Sequence, residues 1–175
     1  MTEVEWLRKE HRCSFSGHRP EKMNCSTGKI IRALKKEIEC AIADGYTTFI
    51  SGMARGVDIW AAEIVLKKKQ KNKELRLVCA IPFRGVENQW DKFWKRKFRA
   101  ILPQADYIKY FSDFFSDSEL YMIRNRWMID RSTRLIAVFG GEKGGTYSTI
   151  LYARKKGVSV CLIPVRNRSS IVRSD

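Results

Sequence analysis

Apolar residues arrive along this chain in two alternating rhythms: short runs that are apolar almost throughout, and longer stretches in which they return every three or four positions. The first rhythm reads as strand and the second as helix. RCSFS (12–16) is a short strand, and GHRPEKMNCSTG after it is a polar connection broken by Gly, Pro and Asn. Ser26 and Thr27 both suit the cap of a helix that carries Ile30, Ile31, Leu34, Ile38, Ala41 and Ile42 on one face and stops at Gly45. YTTFIS (46–51) follows as a buried strand. SGMARGVDIWAAE (51–63) then turns through two glycines into a helix facing inward through Val57, Trp60, Ala61, Ile64 and Val65, and this helix dissolves into the lysines at 67–69.

The same alternation continues to the end. LRLVCAI (75–81) is a third strand stopped by Pro82, and residues 88–102 place Trp90, Phe93, Trp94, Phe98, Ile101 and Leu102 at helical spacing before Pro103. That aromatic stripe reads as packing, with stacking on nucleobases as the alternative. DYIKYF (106–111) is a fourth strand, SDFFSDS a loop, and ELYMIRNRWMID (119–130) a helix with Leu120, Ile123 and Trp127 on one side. RLIAVFGG repeats the passage from strand to glycine, TYSTILYARKKG is the last long helix, and VSVCLIP (158–164) the last strand. Strands apolar along their whole length, alternating with helices, predict an α/β fold: a Rossmann-like, doubly wound, mainly parallel sheet in a single domain. We assign residues 1–11 to an N-terminal extension, 12–165 to the domain and 166–175 to a basic C-terminal tail; there are no internal repeats.

Composition narrows the picture. The 175 residues, 44% of them hydrophobic and 30% charged, suffice for one core without staples. Five cysteines (Cys13, Cys25, Cys40, Cys79, Cys161) form no CxxC pair, and three lie in strand-like runs, so they read as reduced and no metal site is expected. No apolar run is long enough for a membrane span and no signal peptide is evident, so the chain reads as cytoplasmic, with no membrane partner. The 34 Lys and Arg against 19 Asp and Glu, a formal charge of +15, would attract polyanions. The cations are dispersed, however: those at 67–69, 95–97 and 154–156 fall late in three helices, where they also answer the helix dipole.

Chemistry is expected just after the strands, because open α/β sheets bind ligands beyond their carboxyl ends. There the chain places SGHRP (16–20), SGMARG (51–56), PFRG (82–85) and GGEKGGT (140–146). A glycine turn leading into a helix N-terminus offers unpaired N–H groups and a favourable dipole to an anion. The alternative for each single turn is a tight connection that needs positive φ. Neither glycine loop matches a P-loop or the dinucleotide fingerprint. Arg19 can clamp phosphate and His18 can bond base or ribose, or both belong to a surface loop stiffened by Pro20. Asp58 either answers the dipole of its helix or accepts from a ribose hydroxyl. Glu63 lies on a partly apolar helix and calls for a partner such as Arg126 or Arg84. Arg126 and Asp130 are four apart and form an intrahelical ion pair, or else Asn125 and Arg126 reach a phosphate or sugar.

FSGHRPEK, GYTTFISGMARGVDIWAAEIVL, AIPF, RNRWMID and LIAVFGGEKGGTYSTILYA, in this order from about Cys13 to Pro164, resemble the YpsA-like bacterial branch of the SLOG superfamily. The resemblance implies a Rossmann-like fold that binds nucleotides or nucleotide derivatives, allows a homodimer, and relates the chain to phosphoribohydrolases and to DNA-processing protein A. Gly140, Gly141, Gly144, Gly145 and Thr146 resemble the phosphate loop PGGxGTxxE of the phosphoribohydrolases. Thr149 stands where that motif ends in glutamate, and one extra residue separates the glycine pairs. Cleavage of an N-glycosidic bond needs a carboxylate near the sugar, for which Glu63, Asp58 and Glu142 are the substitutes. The combined expectation is a nucleotide or nucleotide-derived ligand held by Ser16, Gly17, His18, Arg19, Ser51, Gly52, Met53, Gly56, Asp58, Asn125, Arg126 and the 140–146 loop, in a sensor or regulator with no cofactor. The alternatives are a nucleoside-monophosphate phosphoribohydrolase using Glu63 or Asp58, and a single-stranded nucleic-acid binder.

Overall fold

The computed structural model describes residues 9–165; residues 1–8 of the expected extension and the whole 166–175 tail lie outside the described residues. Six strands, β1 (Arg12–Gly17), β2 (Thr48–Ser51), β3 (Arg76–Ile81), β4 (Tyr107–Tyr110), β5 (Arg134–Phe139) and β6 (Ser159–Pro164), form one sheet in the order β4-β3-β2-β1-β5-β6. Every neighbouring pair is parallel. The chain therefore starts at the centre, winds outward to β4, and crosses back to place β5 beside β1, with Ser16 opposite Ala137 and Gly17 opposite Val138. Between β1 and β5 the strand order reverses, which opens a crevice at their carboxyl ends.

Five helices cover both faces: α1 (Thr27–Ala43), α2 (Val57–Lys69) and α3 (Lys92–Ile101) on one, α4 (Glu119–Asp130) and α5 (Gly145–Lys155) on the other. Successive residues of a strand point to opposite faces, so each strand must be apolar throughout. Phe15, Phe49, Leu77 and Ile81 accordingly meet Leu34, Ile38 and Ile59 in the larger core. Leu135 and Ala137 meet Ile129, Ile150 and Ala153 on the far side, where Ile50, Val78 and Ala80 meet Met128.

Three boundaries differ from the sequence reading. Tyr46 and Thr47 precede β2: the Tyr46 N–H donates to Ala41 O at 3.0 Å and so closes α1. The helix expected over 88–102 is three pieces, a 3₁₀ turn at Val86–Gln89, α3, and a 3₁₀ turn at Leu102–Gln104 that contains Pro103. Asp91 divides them, its Oδ1 accepting from the N–H groups of Phe93 and Trp94 at 3.0 and 3.1 Å, a cap that only a non-helical residue can make. In α4 the buried stripe is Leu120, Arg124, Met128 and Ile129, whereas Ile123 is 44% exposed and Trp127 packs edge-on against Phe111. In α2, Ile64 is only half-buried, while Asp58, Ile59 and Ala62 join the core side. All five cysteines are free, and among the described residues no helix is long and apolar enough to cross a membrane and no cluster of three metal-ligating side chains occurs.

Candidate functional site

At the end of β1 the backbone runs against α2: a Cβ on Gly17 would lie 2.3 Å from Val57 Cγ2, so only glycine allows this approach. His18 follows, buried, its Nε2 accepting from the Gly140 N–H at 3.1 Å and its ring stacked 5.6 Å from Phe139. Burial holds its pKa below the usual histidine value, against the pull of Glu142, which keeps the imidazole neutral and able to accept. This contact ties the end of β1 to the end of β5.

The turn after β2 is built inward. Ser51 Oγ accepts from the Met53 N–H at 3.1 Å and donates to the Asp58 carbonyl at 2.8 Å, while the Ala54 N–H donates to Asp58 Oδ2 at 3.2 Å. Met53 is held in the left-handed region at φ 57° with its side chain buried. Arg124 reaches in from α4, donating from Nη1 to Gly52 O and from Nε to Asn125 Oδ1. A Cβ on Gly52 would lie 2.7 Å from Arg124 Nη1 and 2.8 Å from Asp58 Oδ2, so the two charges converge over a bare α-carbon. Burial pushes the Asp58 carboxyl up to about 6, more than the neighbouring Arg124 lowers it, and Oδ1 has no hydrogen-bond partner. From Asn125 the network continues through Nδ2 to Thr149 Oγ1 at 3.1 Å, and from Thr149 to Gly145 O at 2.8 Å.

After β5 the chain uses positive φ at Gly141 (96°) and Gly144 (155°) to enter α5. The first α5 hydrogen bond is Ser148 N–H to Gly144 O, so the N–H groups just before it have no partner within the helix. Side chains built on Gly141, Gly144 or Gly145 would meet nothing within 4 Å. This end of α5 faces a hollow of about 330 Å³, whose other walls include His18, Arg19, Lys22, Asp58, Arg124 and Lys143. A larger hollow of about 830 Å³ adjoins it beyond β2 and β3, sharing Arg19, Ala54, Tyr121 and Arg124.

A family model described as the YspA SLOG family (YpsA) matches residues 13–159. The chain belongs to the YspA SLOG family. Its relatives include a UPF0398 protein of Halalkalibacterium halodurans, 28% identical across 73% of this chain and 68% of that protein, and one of Bacillus thuringiensis, 30% identical across 73% and 70%. Two solved structures share the fold. DNA processing protein A of Streptococcus pneumoniae has a TM-score of 0.66 at 20% identity, matching 89% of this chain and 51% of its own, so the chain spans about half that protein's length. DNA processing protein A of Helicobacter pylori, described with a single-stranded DNA binding mode, has a TM-score of 0.63 at 21% identity and 94% and 70% coverage.

In this SLOG chain the smaller hollow gathers Ser16, Gly17, His18, Arg19, Asp58, Asn125, Gly144, Gly145 and Thr146 of the expected residues. Gly52 and Met53 line the larger one, Ser51 is fully buried behind both, and Gly56, at φ +90°, packs on Pro20. Two amides of the 51–56 turn are unavailable to the cradle expected there. The Met53 and Ala54 N–H groups are taken by Ser51 and Asp58, because polar groups buried beside α2 must satisfy one another. The Gly140 N–H is likewise taken by His18.

Arg126 is exposed on the other side of α4, 5.5 Å from the Tyr152 ring. Asp130 bonds the Tyr152 hydroxyl at 2.9 Å and Lys156 at 3.6 Å in place of the expected Arg126 pair. Glu63 pairs with Lys97 at 2.7 Å in a shallow groove between α2 and α3, while Arg84 pairs with Asp113, so Glu63 does not reach the crevice. The sequence reading missed Arg124, whose signal was its position midway between Leu120 and Met128 on one helical face. Tyr121 and Lys22 were missed as well, since nothing local marks them.

Proposed function

We propose that the hollow between the ends of β1 and β5 binds the phosphate of a nucleotide or nucleotide-derived ligand. One observation carries the reading: the open N-terminal end of α5 and the cations Arg19, Lys22 and Lys143 converge on a hollow whose inner wall holds a buried carboxylate oxygen without a partner. Unpaired amides, the helix dipole and guanidinium or ammonium groups all favour an anion at the outer end. Asp58 Oδ1 at the inner end, an acceptor when ionised and a donor when protonated, suits a group that can do either, as a sugar hydroxyl can. Turnover is less well supported than binding. Thr149 holds Asn125 and the Gly145 carbonyl where the phosphoribohydrolase motif has its glutamate, and Glu63 lies elsewhere.

The test is thermal unfolding of the protein with millimolar nucleoside mono- and diphosphates, together with chromatography for released base. The expected result is a rise in Tm that Arg19→Ala with Lys143→Ala reduces, and no free base, since a ligand bound only by the native state stabilises it. No rise with any nucleotide would overturn the reading. A strand of nucleic acid is the second reading, favoured by the adjoining larger hollow and by the fold shared with the H. pylori protein. A log–log fall of affinity with salt steeper than one counterion distinguishes it.

A further inference from the structure

We infer that the larger hollow is a ring-stacking subsite, so that the ligand of this rim carries two nucleoside units joined through phosphate. The inference rests on the phosphate reading of the smaller hollow and names the chemistry of what binds there.

The two hollows adjoin and are unlike. They share Arg19 and Arg124 at their junction, so a phosphate-linked molecule can pass from one to the other beside positive charge. The smaller, about 330 Å³, is bounded mainly by glycine backbone and polar or charged groups, with Phe15 and Tyr121 among its walls. The larger has more than twice the volume and is walled by Phe83, Trp90, Phe115 and Tyr121. Phe83 stands at their centre, edge-on to Phe115 at 5.3 Å and 63° and to Tyr121 at 6.1 Å and 88°. Edge-to-face packing of this kind fixes the orientation of the rings. Phe115 is 56% exposed, a large apolar ring left in water at the mouth of a hollow whose other walls offer the Asn88 and Gln89 side chains. Flat rings with polar edges, nucleobases above all, match aromatic faces flanked by amides.

The experiment titrates the full chain with adenosine 5′-monophosphate, the 5′-phosphorylated diadenylate and a ten-residue oligodeoxyadenylate, reading heat and total tryptophan fluorescence. Phe115→Ala and Phe115→Tyr are the variants, because an exposed ring can be removed without emptying the core. The diadenylate should bind at least tenfold more tightly than the mononucleotide and quench tryptophan emission. Phe115→Ala should remove about tenfold from that affinity while leaving the mononucleotide unchanged, and Phe115→Tyr should restore it. Affinity that stops rising at two units identifies a free dinucleotide as the source, and affinity that keeps rising identifies a strand; both support the subsite. Equal affinity for one unit and two, or an equal loss for both in Phe115→Ala, overturns it while the phosphate site stands. Absence of binding by all three probes overturns both.

Discussion

Gly145 begins α5 without a positive φ, and a Cβ there meets nothing within 4 Å, so the fold itself does not require glycine at this position. Gly145→Ala should leave the protein equally stable or stabilise it by about 0.4–1 kcal/mol, through lost freedom of the unfolded chain. It should nevertheless weaken nucleotide binding tenfold or more, because the methyl group stands where phosphate approaches the helix end. Calorimetry of melting and of binding reads both effects, and unchanged affinity would remove α5 from the site. Gly52→Ala should do the reverse, since its methyl group drives into Arg124 and Asp58: a loss of about 1–3 kcal/mol, seen as a lower Tm before any ligand is added. Arg124 and Arg126, two positions apart on α4, separate in the same way. Arg124→Ala removes the donor to the Gly52 carbonyl and the positive charge beside buried Asp58 and should cost about 1–3 kcal/mol in denaturant unfolding. Arg126→Ala alters an exposed face and should stay within about 0.5 kcal/mol of wild type. A comparable loss in both variants would contradict the burial on which the site is built.

At the scale of elements, Asp91 sets where α3 begins. Asp91→Ala should lower stability by about 1 kcal/mol, whereas Asp91→Ser should retain most of it; equal Tm values for wild type and Asp91→Ala would show the cap to be inert. The same element shows what a pattern can and cannot carry. Trp90 to Leu102 keeps helical spacing throughout, so periodicity joins it into one helix, while the break depends on a side-chain hydrogen bond that spacing does not encode. Strands were legible because a parallel sheet buries both faces and makes β3 and β5 apolar at every position after their first arginine. The glycine turns at the ends of β1 and β5 were legible for a similar reason, since the passage from apolar run to glycine is local. α4 was not. Met122 and Ile123 are apolar and exposed, and Arg124 is charged and buried, so composition points to the wrong face. Only the position of α4 across the sheet, with Gly52 O and Asp58 waiting opposite, selects the arginine. In the 51–56 turn the pattern shows the glycines but not that the Met53 and Ala54 amides are claimed by side chains two and four residues away.

The molecule as a whole carries +15, and its lysine-rich helix ends are partly neutralised by their neighbours, Lys68 by Glu39, Lys69 by Asp106 and Lys97 by Glu63. What the overall field does not settle, the crevice can, through its titrating groups. Asp58 has its carboxyl pushed up to about 6, from an ordinary value of 3.8, by burial that outweighs Arg124. The native state therefore holds this proton more tightly than the unfolded chain. The stability it contributes is complete below about pH 3.8 and is lost as pH rises through about 6. An anion bound beside an ionised Asp58 pushes its affinity for protons higher still, so by linkage binding takes up protons and strengthens as pH falls from 7 to 5. Around the same hollow stand Arg19, Lys22, Lys143 and Arg124, with Glu142 opposing them, while burial holds His18 below its usual pKa. When His18 does protonate, Nε2 ceases to accept from Gly140 and the tie between β1 and β5 opens, which sets an acid limit to the gain. A phosphodiester ligand keeps constant charge across pH 5–8, so its affinity isolates the protein's contribution. Titrations in two buffers of different ionisation heat should show net proton uptake near pH 6, and Asp58→Asn should flatten the profile. An affinity that declines on acidification, or a slope that survives Asp58→Asn, would place the anion away from Asp58 and separate the carboxylate from the phosphate end of the crevice.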